Sequence, residues 1–434
     1  MSFYVSHPLR IQLLANLPGH PAYGGMRLLL VLTFTFYLVC SNRESMFYNN
    51  GGADMAILYG TFGAALIAIV LGDAFETIVL PRRVTRQISL ARLFYQSTWF
   101  SWSRAVRSIF SGKRQETFLS WYGPLSLLLL LILWATGLVI GFGLVLWASG
   151  SILKTPEGTA SFGTYLYLSG TSFFTLGLGD VTPTTTFGRG LVAFEAGMGF
   201  GFLALVIGYL PVLNQSFSRR EVTISLLDAR AGSPPTAGEM LRRHCHGEGM
   251  EELRQLFHEW ERWSADLLES HLSYPVLAYF RSHHDNQSWL GALTAILDAS
   301  AFTIVCVEGS CEGQAQLTFA ITRHTIVDLA QVFNCPPREP EQDRLSVTEW
   351  NTLRTTLTEA GLKLREEKLA KQELSELRCL YEPYVYSLSK YLHIKRPPWI
   401  PAPSATDNWQ TSAWGRSSGF QIDGPSEGTE DEHF

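Results

Sequence analysis

The chain has 434 residues, 46% of them hydrophobic and 17% charged, with 34 Lys and Arg against 39 Asp and Glu. That length allows two or three domains, and a formal charge of −5 is too mild to point to any class of partner. Charges are scarce before Leu213 and common after it, and the long apolar runs of the first half exclude an ordinary soluble protein and mark an integral membrane one.

The opening stretch, 1–23, carries His7, Arg10 and His20 and has no small-residue cleavage site, so it reads as a cytoplasmic segment rather than a signal peptide. It either lies on the membrane surface or forms a tail. Two spans are expected in 24–80, the first at 24–40, near the short limit for crossing a bilayer, and the second at 54–80. The polar loop 41–53 between them is too short to hold a re-entrant segment. Asp73 and Glu76, three apart near the end of the second span, share a helix face. Pairing with Arg82, Arg83 or Arg86 is the preferred reading, and a role in an ion pathway or gate is the other. No arginine repeats at every third position in either span, which disfavours strong voltage gating.

A linker, 81–120, follows. Arg82, Arg83, Arg86, Arg92, Arg104, Arg107, Lys113 and Arg114 face a single acid, Glu116, which assigns it to the cytoplasm. Phe94, Tyr95, Trp99, Phe100 and Trp102 interleave with the basic residues. The 82–114 basic segment therefore reads as an amphipathic helix, lying on anionic lipid or packed against the protein's own intracellular part. Nucleic acid is not an expected partner of a loop between spans.

A domain is expected at 121–213, and within it the stretch from Ser161 to Leu213 organises the chain. A third span, Tyr122 to Ala148, carries Gly137, Gly141 and Gly143 for close helix approach, with Trp121 and Trp147 at its two interfaces. After an extracellular loop, 149–160, come a short apolar helix pattern, Ser161 to Phe174, the hexapeptide Thr175-Leu176-Gly177-Leu178-Gly179-Asp180, then Val181-Thr182-Pro183 and a last span, Phe187 to Leu213. An ion crossing a bilayer must exchange its hydration shell for other oxygens, and a ring of backbone carbonyls supplies them. Aiming successive carbonyls one way requires alternating backbone handedness, which Gly177 and Gly179 adopt at little cost. Irregular backbone survives at membrane depth only inside protein or beside water.

Thr175 to Asp180, with Thr171 to Phe174 before it and Val181 to Pro183 after it, resembles the Thr-Val-Gly-Tyr-Gly-Asp signature of the potassium-channel pore-loop superfamily. The resemblance implies a homotetramer with monovalent cations, potassium favoured and sodium the rival, held along Thr175, Leu176, Gly177, Leu178, Gly179 and Asp180. It implies no other cofactor or metal. The last span would then line the pore, with Gly197, Gly199 or Gly201 either a gating hinge or a tight-packing site. Glu195 would support the filter from behind by hydrogen bonding to the short helix. Two positions depart from the pattern: Leu176 stands where Val or Ile is usual, and Leu178 where Tyr or Phe is usual. Leu178 cannot hydrogen-bond behind the filter, which makes weakly selective conduction the nearest alternative.

From 214 to 396 the chain reads as a mainly helical cytoplasmic domain. Gly232-Ser-Pro-Pro235 ends the helix that continues from the last span, and Leu253, Leu256, Phe257, Trp260 and Trp263 form one apolar stripe. Trp289 to Val307 is apolar enough to raise a further span, but Asp298 interrupts it, and a buried core helix is expected. Ser346-Val-Thr-Glu349 is a capping box. Leu362 to Leu380, rich in Lys, Glu and Leu, suits an exposed helix or one at a contact between copies.

His258 lacks a second histidine on its helix face, His244-Cys245-His246 lacks a matching second cluster, and Cys306, Cys311 and Cys335 are expected as reduced thiols. No Gly-rich phosphate cradle is present, and nothing points to an enzyme. The Pro-, Ser-, Gly- and acid-rich stretch 397–434 is expected to be a disordered tail. The expectation is an all-α, four-span, multi-pass cell-membrane protein with both termini cytoplasmic: a cation channel, or failing conduction a membrane sensor that keeps the pore fold.

Overall fold

The computed structural model describes residues 52–80, 90–156, 158–245, 249–284, 286–309 and 311–401. The segment 1–23, the span expected at 24–40, Arg82, Arg83, Arg86, His246 and the tail beyond 401 lie outside them. The protein is an all-α membrane protein; its described β-structure is one pair of two-residue strands and an isolated bridge between Val307 and Leu364. It divides into two units, 1–218 together with 269–281, and 219–268 together with 282–434.

In the first unit α1, Gly52–Ala74, runs into a π-helical turn, Phe75–Val79, and lies against α3, Lys113–Ala148. Glycines set how closely they approach. A Cβ on Gly63 would sit 2.8 Å from the Gly141 carbonyl oxygen, and one on Gly141 would sit 2.6 Å from Ile67. Gly143 faces Leu166 instead, on the short helix described below. Asp73 is buried where α1 ends. Its carboxylate accepts the Trp134 indole N–H at 2.9 Å and the Ala91 N–H at 3.1 and 3.2 Å. It thus ties α1 to α3 and to the first turn of α2, Leu90–Ile109, where a negative charge suits the unpaired amides.

Helix α2 is amphipathic. Ala91, Phe94, Tyr95, Trp99, Ser103 and Val106 recur at helical spacing on its buried face, while Arg92, Arg104 and Arg107 are exposed. Phe94, Tyr95 and Trp99 are core, whereas Phe100 is exposed and Trp102 half-buried. Tyr122 of α3 donates its hydroxyl to the Tyr95 carbonyl at 3.0 Å. A 3-10 turn from much later in the chain, Pro275–Tyr279, completes the cluster: the Tyr279 ring centroid is 5.2 Å from Trp99 and 5.2 Å from Tyr122. The next residue, Phe280, fits only because position 123 is Gly, since a Cβ there would lie 2.7 Å from its ring. Tyr274 meets Tyr209, far along α5, Thr186–Ala231.

The second unit takes the end of α5, which stops at Ala231 as Gly232 turns to φ 82°. Then come α6, Ala237–Arg243, and α7, Gly249–Ser273, whose stripe of Leu253, Leu256, Phe257, Trp260 and Trp263 is buried. Helix α8, Trp289–Cys306, is long and apolar enough to cross a membrane, yet it is the almost wholly buried centre of this unit. Around it stand α9, Glu312–Val332, α10, Val347–Glu359, α11, Glu367–Cys379, and α12, Glu382–Leu392. The capping box opens α10: the Ser346 N–H donates to Glu349 at 2.8 Å and the Glu349 N–H donates to Ser346 at 3.3 Å. Burial pushes the thiols of Cys306 and Cys335 up to about 12 and that of Cys311 up to about 11. His244 is buried with Nδ1 2.7 Å from the Met240 carbonyl oxygen.

Asp298, the charge inside α8, is fully buried and paired. Arg344 grips it from both guanidinium ends at 2.8 and 2.9 Å, and Tyr381 donates to it at 2.6 Å. Arg344 also reaches Glu382 at 2.8 Å, which Arg378 meets at 3.1 Å. The boundary expected at 397 is corrected here. Trp399 is fully buried beneath Arg344 and Arg378, its carbonyl accepts the Gly238 N–H at 2.9 Å, and the Pro397 carbonyl accepts from Arg344 at 2.9 Å. The packed domain therefore runs past 396 because an indole ring covers the ion network.

Removing one partner of such a pair leaves a buried charge uncompensated. Arg344→Ala should destabilise this unit by about 3–5 kcal/mol, seen as a fall in its thermal unfolding midpoint, and Arg344→Met combined with Asp298→Leu should recover most of that loss.

Candidate ion-conduction site

The site is built on a short helix, α4, Phe162–Phe173. Its start is fixed by the Ser161 N–H donating to the Thr164 hydroxyl at 3.0 Å, and its flank packs on α3. The chain leaves α4 without releasing its amides. The Thr175 N–H donates to the Ser172 carbonyl at 2.9 Å, and the Leu176 and Gly177 N–H groups donate to the Thr171 carbonyl at 2.8 and 3.4 Å. Among the described hydrogen bonds none is accepted by the carbonyl of Thr175, Leu176, Gly177 or Leu178.

The handedness expected of the hexapeptide is present and extends one residue further. Gly177 has φ 57° and Gly179 φ 78°, and Thr175 is also left-handed at φ 54°. A β-branched residue there is strained. Counting back by two from the glycines is the sequence signal that finds it. Left-handed backbone at every second residue is the condition for successive carbonyls to face one way.

Both ends are anchored. Tyr167 on α4 donates its hydroxyl to Asp180 at 2.9 Å, a contact that the sequence reading missed. Beyond it, β2, Thr182–Pro183, pairs antiparallel with β1, Leu153–Lys154, and Arg189 donates to the Pro183 carbonyl at 3.1 Å. Tyr165 donates to the Ser151 carbonyl at 2.7 Å.

Glu195 is fully buried on α5 and hydrogen-bonded through Oε1 to Ser169 of α4. Ser169 Oγ is also 2.7 Å from the Val139 carbonyl oxygen of α3. The three candidate glycines are not equivalent. A Cβ on Gly199 would fall 1.7 Å from the Phe173 carbonyl oxygen, whereas Gly197 and Gly201 have nothing within 4 Å. Gly199 is the close-packing position, where α5 crosses the end of α4.

Much apolar surface around the site is exposed among the described residues. Phe174, Leu176 and Leu178 are exposed, as are Phe187, Phe194 and Phe200 on α5. Between the hexapeptide and α5 lies a recess of about 660 Å³, lined by Thr171, Thr175, Gly177, Val192, Ala193 and Ala196 among others.

Residues 129–214 match the model of a protein family described as ion channel. That stretch holds most of α3, all of α4, the hexapeptide and α5 as far as Asn214, so the pore-loop resemblance is borne out there. A 189-residue segment is 28% identical to the uncharacterized membrane protein YdjJ of Bacillus subtilis (strain 168). It covers 43% of this chain and 54% of that protein, so the chain spans about half the length of the curated relative it matches. No solved structure matches.

The glycine geometry separates three residues that look alike in the sequence. Gly199→Ala should prevent stable folding, because the added methyl meets backbone that has no room to give. Gly197→Ala and Gly201→Ala should fold normally, as read by size-exclusion profile and thermal midpoint.

Proposed function

We propose that four copies of this chain surround one pore, and that the ion-channel segment conducts monovalent cations passively through carbonyls of Thr175, Leu176, Gly177 and Leu178. The observation that carries this reading is the hexapeptide backbone: left-handed at 175, 177 and 179, with its first amides tied back to α4 and its carbonyls unclaimed. A single chain offers one carbonyl at each level, and replacing a hydration shell takes a ring of them. The exposed Phe174, Leu176 and Leu178 support neighbouring copies as what covers the site. Potassium is the favoured ion, on the resemblance of Thr175 to Asp180.

Weaker selectivity, with sodium passing as well, is the second reading. What favours it is Leu178, whose side chain has no hydroxyl to brace the loop from behind. The chain's place is the cell membrane, with both termini and the basic segment on the cytoplasmic side. The exposed Arg92, Arg104, Arg107, Lys113 and Arg114 suit an anionic leaflet there.

Flux through purified protein in liposomes tests this, with potassium and sodium gradients compared. Potassium flux well above sodium flux is expected. Gly177→Ala should abolish flux while leaving the tetramer intact, since a side chain at that φ costs about 1–2 kcal/mol in each copy. Leu178→Tyr should raise the potassium-to-sodium ratio. Undiminished flux in Gly177→Ala would refute the conduction site, and an unchanged ratio in Leu178→Tyr would refute the account of selectivity.

A further inference from the structure

The hydrogen bonds behind the hexapeptide fix where one proton sits. Ser169 Oγ is within hydrogen-bond distance of two oxygens, the Val139 carbonyl and Glu195 Oε1. A serine hydroxyl has one proton to donate, and a carbonyl has none. Were Glu195 a carboxylate, two acceptors would compete for that proton and one contact would go unmade. The other carboxyl oxygen, Oε2, is shut away from solvent with no hydrogen-bond partner among the described residues. A buried carboxylate lacking a cation and a second donor is costly, and the neutral acid is not.

We propose that Glu195 is held as a neutral carboxylic acid that donates to Ser169, which in turn donates to the Val139 carbonyl. One proton thereby clamps α5, α4 and α3 together behind the site. This inference rests on the conduction reading above and gives Glu195 a defined part in it, as a positioning residue.

The clamp has a second jaw one turn along. Glu195 and Gly199 are four apart on α5, and their partners Ser169 and Phe173 are four apart on α4. Helix α5 therefore grips α4 at two successive turns. The end of α4 so held carries the Thr171 and Ser172 carbonyls that bind the first amides of the hexapeptide. Movement of α5 at this level must either break the Glu195 contact or carry the site with it. If Glu195 ionises, Ser169 turns its proton to the carboxylate and α3 is released.

Few ionisable groups surround this carboxyl. Helix α3 has none from Gly123 to Ala148. Helix α4 has Tyr165 and Tyr167, engaged with the Ser151 carbonyl and with Asp180. Helix α5 has Arg189, engaged with the Pro183 carbonyl, and no ionisable residue other than Glu195 from Gly190 to Gly208.

The test combines infrared spectroscopy and potassium flux on the full-length assembly in lipid, across neutral to alkaline pH. The carbonyl stretch of a neutral carboxyl should be present at neutral pH and missing in Glu195→Gln. Flux through the natural protein should fall by about tenfold as that band disappears at alkaline pH, the loss expected when one buried hydrogen bond of this kind is broken. Glu195→Ala should lose flux at every pH. Glu195→Gln, whose amide can still donate to Ser169, should restore most of it and remove the alkaline fall. The proposal is overturned if no band at neutral pH is lost in Glu195→Gln, if Glu195→Gln keeps the alkaline fall, or if it conducts no better than Glu195→Ala. Should no variant conduct at all, the band still reports the proton, so failure of the clamp and failure of the conduction reading are told apart.

Discussion

Backbone at membrane depth must bind its polar groups to something, because lipid offers no hydrogen bonds. The segment 175–179 meets that demand unequally. Its first amides return to the Thr171 and Ser172 carbonyls at the end of α4, while none of the described hydrogen bonds is accepted by the carbonyls of 175–178. Left-handed backbone at alternate residues produces this division, and Thr175 accepts it although a β-branched residue resists it. Open carbonyls in a row suit a dehydrated cation. The rest of the first unit packs on α4 and anchors both ends of this segment.

That holding is done by contacts of several kinds. Glycine on α5 admits the Phe173 carbonyl, a small antiparallel pair fixes the far end of the loop, and Tyr167 ties Asp180. Farther from the site, Asp73 joins three helices through amide and indole donors, and the turn at 275–279 fills the space between α2 and α3 with a tyrosine ring. The chain thus leaves its helical second unit to contribute 269–281 to the first, and Tyr274 meets Tyr209 of α5. Residues on the second half of the sequence are thereby part of the unit that holds the site.

What the sequence made legible was local in its physics. The glycine alternation, the apolar lengths of α1, α3 and α5, the stripe on α7 and the capping box at Ser346 each lie within a few turns of chain, and each is present. Asp298 correctly argued against a span at α8, because a buried charge needs a partner that protein supplies and lipid does not. What escaped depends on distant partners. Asp73 meets Trp134, 61 residues away, and nothing near Asp73 announces it. Tyr279 and Phe280 look like any apolar pair of a helical domain until α2 and Gly123 are beside them. Trp399 sits at the start of a stretch whose Pro-rich, polar composition points to a tail, yet its indole packs beneath two guanidinium groups. Gly197, Gly199 and Gly201 are indistinguishable until the Phe173 carbonyl is placed.

The most direct measurement is anomalous diffraction from crystals of the full-length protein grown with thallium or rubidium in place of potassium. The account predicts a column of peaks on a fourfold axis, each between rings of carbonyls from Thr175, Leu176, Gly177 and Leu178. A lattice or particle without that axis, or cations absent from the 175–178 carbonyls and bound elsewhere, would contradict it.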